Sequence, residues 1–558
     1  QIIALDAVSG ELLWRYDPKV PRDTLVKACC GAVNRGLAYR EGVLFSGTLD
    51  GRLLAIDSDS GKLLWSRVTV DQSKAYTITG APRVHEDLVY IGNGGAEYGV
   101  RGYLSAYSAH TGELVWRFYT VPGGPDEPVG VEPVESQRAT WSGEYWQLGG
   151  GGTVWDSMAV DVDTNTLYFG VGNGSPWNPN TRTAGEGDNW FLSSIVAVDA
   201  ATGEYRWHYQ TTPQEAWDFT ATQHIILADL NIGGEPRDVL MQAPKNGFFY
   251  VLDRHTGELL SAEPFVPVNW ASHVDLQSGR PVVNPEAQYW LTGKPALVTP
   301  SWMGGHNWHP MSLNPDSGVI FLPAQETAFP YLREDDQSPA KLAVNLGVDT
   351  KVAALPDDPA VIEQVKAATK GFLIAWDVTE AKPIWRVEYP GAWNGGTLAT
   401  AGNVVFQGVA SGFLNAYAAD TGQRLWQFPT QTGVVAPPIT YQIDGEQYLT
   451  VSAGWGGIFP LMTGVLVEDS AGERAVNKSR LLTFKLGGSA TLPAPNDAVS
   501  TLPDTSSFSP EADAVAEGFA HYDRYCVNCH GAGAVGGGVL PDLRFSPVIT
   551  DASVWSSI

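Results

Sequence analysis

The chain has 558 residues, and its formal net charge of -26 at pH 7 argues against a nucleic-acid partner, which would need clustered Lys and Arg side chains. With 20 Trp and 21 Tyr beside 61 Gly and 37 Pro, the composition favours many short strands joined by turns. No apolar run reaches the length of about 18 residues that a membrane-spanning helix needs.

One phrase recurs along the chain and begins within its first ten residues. Each copy predicts a strand, a tight turn and a second strand, because alternating apolar residues flank small polar residues and a Gly that supplies positive φ. Five copies end in Trp after such a Gly: ALDAVSGELLW from Ala4, AIDSDSGKLLW from Ala55, AYSAHTGELVW from Ala106, AVDAATGEYRW from Ala197 and AYAADTGQRLW from Ala416. Two weaker copies begin at Val251 and Ala375.

The repeat predicts an all-β fold. A four-stranded unit of about 40 to 50 residues, repeated radially, is typical of a β-propeller. Seven copies, with room for another blade between Gly257 and Asp377, predict eight blades over residues 1–486. We expect the Trp of each copy to pack between neighbouring blades. Because residue 1 already lies in a copy, we expect the first strands of that blade to be missing, and residues 480–486 to be where the ring closes.

A pair of adjacent cysteines lies between the first and second copies of the repeat. The stretch VKACCGAVNRG, residues 26–36, holds Cys29 and Cys30 in a chain with four cysteines. The sequence so far allows three states for this pair: two buried thiols, halves of two different disulfides, or a bond between the two neighbours.

The repeat ends near Gly488, and a second domain is predicted after it. Residues 487–510 are rich in Pro, Ser, Thr and Ala and indicate a linker. Residues 511–526 then show helical spacing, so we expect 511–558 to be the N-terminal part of a small helical domain.

The sequence CVNCH at residues 526–530 is the attachment motif of a c-type haem. Cys526 and Cys529 would bond the two vinyl groups covalently, and His530 would ligate the haem iron. A zinc half-site would need a second ligand pair, and a redox dithiol would need a thioredoxin-like setting; neither pattern is visible. Covalent haem also indicates a periplasmic or equivalent compartment, where disulfides are permitted.

The haem domain is expected to be incomplete. In cytochrome c domains, which the stretch after Cys526 resembles, the second axial ligand is usually a Met. The five Met are 158, 241, 303, 311 and 462, all within the predicted propeller. The sixth haem ligand is therefore expected outside this sequence.

Several segments resemble those of the quinohaemoprotein alcohol dehydrogenases, whose propeller holds pyrroloquinoline quinone and a calcium ion and is followed by a cytochrome c. The resemblance covers nearly the whole chain. It rests on the propeller repeat, the haem motif, the vicinal cysteines with Arg35, and these stretches: TITGAPRV around Thr79, GNGGAEYGVRG from Gly92, GGGGTVWDSMAVD from Gly149, GVGNGSPWN from Gly170, AWDFTATQ from Ala216, QAPKNGFFYVLDR from Gln242 and HNWHPMSLNP from His306.

The resemblance implies a binding site for the flat, tricarboxylated quinone. Trp155 would stack beneath one face, and a Cys29–Cys30 disulfide would cover the other. Lys245 would bond the reactive quinone oxygens, where a fixed cation stabilises the reduced form. The rim contacts carried over from the family are the side chains of Arg35, Thr79, Thr153, Asn307 and Trp308 and the backbone of Gly94, Gly95 and Ala96.

The resemblance also implies the metal site and the reaction. Glu97, Asn173 and Asp218 would bind calcium, which prefers hard oxygen ligands. Asp218 would be the general base, kept ionised by the nearby cation, while hydride moves from an alcohol to the quinone. Electrons would then leave through haem c. The implied activity is the oxidation of primary alcohols to aldehydes.

Three other interpretations share parts of this pattern. The propeller and cytochrome subunit of a membrane-bound alcohol dehydrogenase complex has the same layout but passes electrons to ubiquinone through a membrane subunit, whereas a soluble enzyme would use a copper protein or a cytochrome. A sugar-oxidising relative would generally lack the cysteine pair. A non-catalytic propeller scaffold of the outer-membrane assembly type would have no reason to hold Glu97, Asn173, Asp218, Lys245 and a haem motif together.

Overall fold

The fold is a β-propeller, seen here in a computed structural model. The residues described are 1–131, 135–334, 343–353, 358–463, 477–494, 509–536, 542–546 and 553. Six four-stranded sheets and one three-stranded sheet form the blades, and all their strand pairs are antiparallel.

The N-terminal half contains a hairpin and four blades. The hairpin is β1 (Ile2–Leu5) and β2 (Leu12–Tyr16). The first blade is β3 (Ala38–Arg40), β4 (Val43–Gly47), β5 (Arg52–Asp57) and β6 (Leu63–Val68), and the second is β7 (Arg83–His85), β8 (Leu88–Gly92), β9 (Tyr103–Ser108) and β10 (Leu114–Tyr119). A short ladder joins β11 (Gly150–Gly151) to β14 (Gly174–Ser175). The third blade is β12 (Met158–Asp161), β13 (Thr166–Gly170), β15 (Ser194–Asp199) and β16 (Tyr205–Gln210). The fourth blade is β17 (Ile225–Ile232), β18 (Glu235–Gln242), β19 (Phe248–Asp253) and β20 (Leu259–Pro264).

The C-terminal half contains the remaining three blades and two small ladders. The ladders are β21 (Ala271–Asp275) with β22 (Arg280–Val283), and β23 (Ala296–Val298) with β26 (Phe329–Tyr331). The fifth blade is β24 (Ser312–Asn314), β25 (Val319–Glu326), β27 (Lys370–Asp377) and β28 (Lys382–Pro390), and the sixth is β29 (Thr397–Thr400), β30 (Val404–Val409), β31 (Phe413–Ala418) and β32 (Arg424–Pro429). The seventh is β33 (Ile439–Ile443), β34 (Glu446–Ala453) and β35 (Arg480–Lys485).

Helices lie in the connections and after the last blade. The α-helices are α1 (Glu135–Arg138), α2 (Pro179–Thr183), α3 (Tyr289–Thr292), α4 (Pro359–Ala368), α5 (Ile458–Thr463), α6 (Ala512–Tyr525) and α7 (Val527–His530). Single 3-10 turns span Arg22–Lys27, Ala96–Tyr98, Tyr145–Leu148, Pro285–Ala287, Thr350–Ala353, Ala532–Ala534 and Leu543–Phe545.

The predicted count of eight blades was wrong, because the described residues form seven. The first copy of the repeat yields only the hairpin of β1 and β2, and a lone hairpin buries too little apolar surface to form a blade of its own. It packs Ile2 and Trp14 against Leu54 of the next blade. Among the described residues β35 pairs only with β34, and the last blade meets the hairpin through a 2.8 Å hydrogen bond from the Tyr441 hydroxyl to the Ala7 carbonyl.

The repeat explains how neighbouring blades are joined. Each copy after the first spans the third and fourth strands of a blade. The Trp residues at 65, 116 and 385 each lie against the turn of the following copy. The indole of Trp65 donates a 3.0 Å hydrogen bond to the Ala109 carbonyl, and that of Trp385 a 3.0 Å bond to Ala419. This is the packing between blades that the repeat predicts.

Where a copy has the turn glycine, that residue leaves room for the Trp of the preceding copy, as at Gly61, Gly112, Gly203, Gly257 and Gly422. A Cβ atom on Gly112 would lie 2.7 Å from the Trp65 ring, and the residue has φ of +67°. We expect Gly112→Ala to lower the free energy of unfolding by about 2–4 kcal/mol, through overpacking and left-handed strain together. Urea denaturation would measure this.

Gly10 is the matched control, since it occupies the same turn with φ of +74° and has nothing within 4 Å of its Cβ position. Gly10→Ala should therefore show only the backbone cost, about 1 kcal/mol. Equal losses for the two variants would contradict the interblade role of the Trp.

His208 in β16 makes stability depend on pH. Its ring packs against Trp190 and Phe191 and lies 2.8 Å from the Tyr205 hydroxyl, and burial lowers its pKa from 6.5 to about 4. Since the pKa of His208 is lower in the folded than in the unfolded state, its contribution to the free energy of unfolding is complete above pH 6.5. That contribution, up to about 3 kcal/mol, is lost as the pH falls towards 4.

The fall in melting temperature between pH 7 and pH 5 tests this effect of His208. His208→Gln should show a smaller fall than the wild type because it cannot take up the proton. His110→Gln, at a side chain that is 72% exposed, is the control and should follow the wild type. An unchanged pH dependence in His208→Gln would contradict the assignment.

The residues after the propeller are only partly described. Most of the predicted linker, 495–508, lies outside the described residues. α6 begins near the predicted start of the second domain, and α7 contains the haem motif. Gly531, directly after α7, lies close to the Leu461 carbonyl of α5. These helices agree with helical spacing at 511–526, while a cytochrome c fold for 511–558 stays a prediction.

Candidate active site

The candidate residues all lie on one face of the propeller. Glu97, Asn173 and Lys245 lie in connections between the second and third strands of their blades, whereas Asp218 and Trp155 precede the first strand of the next blade. In an up-and-down four-stranded blade these two kinds of connection emerge at the same end of the sheet. The blade topology therefore brings together residues that are distant in sequence.

Glu97 and Asn173 are in direct contact. The Asn173 amide donates a 2.7 Å hydrogen bond to Glu97 Oε1 and a second, 3.1 Å, to the Gly174 carbonyl. Because the amide nitrogen makes both bonds, the side-chain oxygen of Asn173 is not used by them. Together with the Asp218 carboxylate, the set offers only oxygen donors, which fits a hard cation such as calcium. No group of three or more His, Cys, Asp or Glu suited to a metal occurs among the described residues, and this set holds two carboxylates and one amide.

Asp218 and Lys245 form a buried ion pair. Lys245 Nζ lies 3.0 Å from Asp218 Oδ2, and the two side chains are 7% and 9% exposed. Asp218 has φ of +61°, a left-handed conformation that costs a non-glycine residue free energy and is often retained at functional sites.

The surroundings of Asp218 determine its charge. Burial raises the pKa of Asp218 well above its usual value, Lys245 opposes that rise, and the negative charges of Glu97 and Glu215 add to it. Burial therefore disfavours the ionised form of the Asp218 carboxylate, whereas a positive charge beside it, such as that of Lys245, favours that form.

Arg35 is placed over two aromatic rings. Its guanidinium carbon lies 4.8 Å from the centroid of Trp155 and 5.2 Å from that of Trp308, and Nη1 donates a 2.6 Å hydrogen bond to Thr79 Oγ1. Its buried Nε has no hydrogen-bond partner among the described residues. A guanidinium beside half-buried indole surface suits a flat anion, so this part of the site fits a carboxylated quinone.

The other predicted cofactor residues lie in connections at the same face of the propeller, and their contacts with a cofactor stay predictions. Cys29 and Cys30 form a disulfide and are half-buried. Thr153 is buried, and its carbonyl accepts from Gly172. Gly94 pairs with Thr77 through backbone hydrogen bonds, and Gly95 and Ala96 lead into the turn that bears Glu97.

Asn307 makes hydrogen bonds within its own loop. Its amide donates a 2.8 Å hydrogen bond to the Met303 carbonyl, and its oxygen accepts a 2.8 Å bond from the Trp308 backbone. In this structure Asn307 shapes the loop that presents Trp308, and its role as a rim contact stays a prediction.

Sequence reasoning missed buried charges that support the site. Asp156 lies 4.0 Å from Arg35, and burial raises its pKa to about 6 against the attraction of Arg35 and Arg83. Glu215 and Arg182 are buried, Glu215 acts on the charge of Asp218, and Arg182 donates to the Glu215 carbonyl. The only sequence signal was that Glu215 directly precedes, and Asp156 lies within, a family-like segment, and their residue types alone do not distinguish them from turn residues.

The haem motif is partly described. The Cys526 thiol is free and half-buried, and burial raises its pKa. Burial lowers the pKa of His530, which favours the neutral imidazole that ligates metals. The side chain of Cys529 lies outside the described residues. Cys526 and His530 fit a c-type haem. Within the described part of the chain, no helix has the length and apolarity needed to cross a membrane.

Known proteins with similar sequences are alcohol dehydrogenases. The family model "Glucose/ethanol/alcohol dehydrogenase, beta-propeller domain" matches residues 1–274 and 277–449. Quinohemoprotein alcohol dehydrogenase ADH IIB of Pseudomonas putida is 51% identical over 550 residues, 98% of this chain and 78% of that protein. The dehydrogenase subunit of an alcohol dehydrogenase (quinone) from Komagataeibacter europaeus is 45% identical, over 97% of this chain and 75% of its own length.

A solved structure shows the same fold. That of quinohemoprotein alcohol dehydrogenase ADHIIG from Pseudomonas putida HK5 superposes with a TM-score of 0.92 at 50% identity, covering 97% of this chain and 79% of that one. Fold and site thus define a quinone-dependent propeller dehydrogenase. The chain belongs to the quinohaemoprotein alcohol dehydrogenases, which are PQQ-dependent oxidoreductases.

Proposed function

We propose that this protein oxidises primary alcohols to aldehydes in the periplasm, with pyrroloquinoline quinone and calcium at the propeller site and haem c at Cys526, Cys529 and His530. The observation that carries the proposal is the buried Lys245–Asp218 pair, placed on the same face as the Glu97–Asn173 contact. Bound quinone would supply the hydride acceptor, calcium would polarise its carbonyl, and haem would carry electrons onward one at a time.

Asp218 is the residue that would take the proton of the substrate hydroxyl. Its Oδ2 atom is bonded to Lys245, so Oδ1 is the oxygen left to face an alcohol. Proton transfer to a positioned base contributes about 10²–10⁴-fold to a rate. Burial of both side chains excludes water and strengthens their interaction with a bound substrate.

Lys245 would act on charge that develops during the reaction. A cation held in a low-dielectric site stabilises a developing oxyanion more strongly than the same cation in water. Glu97, Asn173 and Asp218 would hold calcium through their side-chain oxygens. Arg35, over Trp155 and Trp308, would bind a carboxylate of the flat cofactor and orient it.

The electron acceptor separates two versions of this function. A soluble enzyme would pass electrons to a copper protein or a cytochrome. The similarity to the dehydrogenase subunit from Komagataeibacter europaeus supports the alternative of a complex that reduces ubiquinone through a membrane subunit. Both versions use the same propeller site.

The test uses the complete gene product supplied with quinone and calcium. Reduction of an artificial dye would be followed with ethanol, a longer primary alcohol and glucose. Activity with the alcohols and haem absorption bands are expected. No alcohol-dependent reduction would contradict the proposed function, and a spectrum without haem bands would contradict the haem assignment. Reduction of a short-chain ubiquinone, compared with a soluble cytochrome, would distinguish the two acceptors.

A further inference from the structure

A buried carboxylate that no predicted role includes lies three residues before Asp218. Glu215 is 0% exposed, so its side chain has no contact with solvent. Buried carboxylates are costly unless their oxygens accept hydrogen bonds, so its partners indicate why it is there.

One oxygen of Glu215 fixes the backbone on both sides of Asp218. Oε1 accepts hydrogen bonds from the backbone N–H of Trp217 at 2.6 Å and of Phe219 at 2.8 Å. Asp218 lies between these two donors and has φ of +61°. Hydrogen bonds to a carboxylate are stronger than those to a neutral acceptor, and they hold the peptide in this conformation.

The other oxygen of Glu215 joins that loop to the segment of Asn173. Oε2 accepts a 3.0 Å hydrogen bond from the backbone N–H of Gly174, which directly follows Asn173. The Asn173 amide in turn contacts Glu97. One side chain therefore links the loop bearing Asp218 to the segment bearing Asn173, and through it to Glu97.

Arg182 fixes the position of Glu215 from the opposite side. Its Nη2 donates a 2.7 Å hydrogen bond to the Glu215 carbonyl, and its Nη1 donates 2.6 Å and 3.1 Å bonds to the carbonyls of Pro176 and Trp177. Arg182 is 2% exposed. The guanidinium balances the charge of the carboxylate and attaches the chain after Gly174 to the same network.

We infer that Glu215 is a positioning residue that sets the spacing between Asp218 and Asn173, and that it thereby determines the affinity and size selectivity of the calcium site. This inference rests on the proposed function, which places calcium at Glu97, Asn173 and Asp218. Residues that orient metal ligands in this way typically change metal affinity about 10–100-fold when they are substituted.

Two variants separate position from charge. Glu215→Gln keeps the length of the side chain and an oxygen for Trp217 and Phe219, but places an NH₂ group against the Gly174 N–H. Glu215→Asp keeps the charge but is shorter by one methylene, so it cannot reach both segments. We expect each variant to bind calcium at least about 10-fold more weakly than the wild type.

The dissociation constants of Ca²⁺ and of Sr²⁺ would be measured for the full-length protein with quinone present. The readout is the quenching of tryptophan fluorescence, which does not depend on activity. A loosened site should change the ratio of the two constants several-fold, whereas loss of charge alone would weaken both ions equally. The Sr²⁺ to Ca²⁺ ratio in Glu215→Gln therefore tests the inference even if Glu215→Asp does not fold.

Asp161→Asn is the matched control. Asp161 is a buried carboxylate that accepts from the backbone of Asp163 and Thr164 and lies 3.0 Å from Arg254, in β12 of the third blade. The Asp161→Asn variant should have a lower melting temperature than the wild type but the same dissociation constants for Ca²⁺ and Sr²⁺.

Three results would overturn the inference. They are calcium affinity retained in both Glu215 variants, affinity lost in Glu215→Gln but retained in Glu215→Asp, and a Sr²⁺ to Ca²⁺ ratio identical to that of the wild type. A wild-type protein that bound no calcium would instead contradict the proposed metal site itself, so the two failures are distinguishable.

Discussion

Asp218→Asn is expected to lower kcat for alcohol oxidation by about 10²–10⁴-fold, because an amide cannot accept the hydroxyl proton. The side chain keeps its size, and its oxygen can still accept a hydrogen bond from Lys245. The fold should therefore persist and the quinone should still bind. Steady-state dye reduction would give kcat, and the absorbance of bound quinone would show that the site is loaded.

The Asp161→Asn variant serves here as well, since it neutralises a buried acid that belongs to β12 and not to the site. Its kcat should equal that of the wild type at temperatures where both are folded. If Asp218→Asn kept full turnover with the quinone bound, Asp218 would not be the base. If the variant lost the quinone, the measured rate would report on binding and Asp218 would be assigned to the cofactor site instead.

The repeat explains why so much of the fold could be predicted. Five of its copies contain a turn glycine followed by a Trp, which are local signals, and the Gly112 turn meets the indole of Trp65 as the pattern predicts. The number of blades depends on how many strands each copy recruits, which is not local. The first copy recruits two strands, whereas the fifth blade draws β24 and β25 from before a long connection that contains α4.

The candidate site could be predicted only as far as residue types in known segments allow. Resemblance indicated Asp218, Lys245, Glu97 and Asn173, and the propeller topology explains why they share one face. The pairing of Lys245 with Asp218 could not be read from the sequence, because the two lie on different loops that meet only when the strands of the fourth blade pair.

Buried supporting charges are still harder to recognise. Glu215 makes its three hydrogen bonds to backbone N–H groups, and such contacts leave no signal in side-chain identities. Arg182 likewise binds three carbonyls, at Pro176, Trp177 and Glu215. These residues become visible only when the backbone conformation around Asp218 is known.

Lys245→Met is expected to have a second large effect, on rate and on stability together. Met fills a similar volume but removes the cation, so kcat should fall by about 10²–10³-fold. The Asp218 carboxylate would be left buried without its partner, and breaking a buried ion pair in this way costs about 3–5 kcal/mol. Dye reduction and urea denaturation of the same preparations would measure the two effects.

Lys245→Arg is the companion variant, because it keeps the charge while changing the shape of the donor. Its free energy of unfolding should be higher than that of Lys245→Met, because pairing with Asp218 depends mainly on charge. Its rate should fall by a larger fraction than its stability, because catalysis depends on the position of the donor. Equal rates for Lys245→Met and the wild type would show that no cation is needed at this atom.

The double variant Lys245→Met, Asp218→Asn tests the physical cause of the stability loss. If the loss in Lys245→Met comes from the unpaired carboxylate, neutralising that carboxylate should restore part of the free energy of unfolding, although the double variant stays inactive. Purely additive losses would mean that the two buried side chains, 3.0 Å apart, are not coupled. Because the cycle reads stability, it measures the ion pair independently of the reaction that the pair is proposed to catalyse.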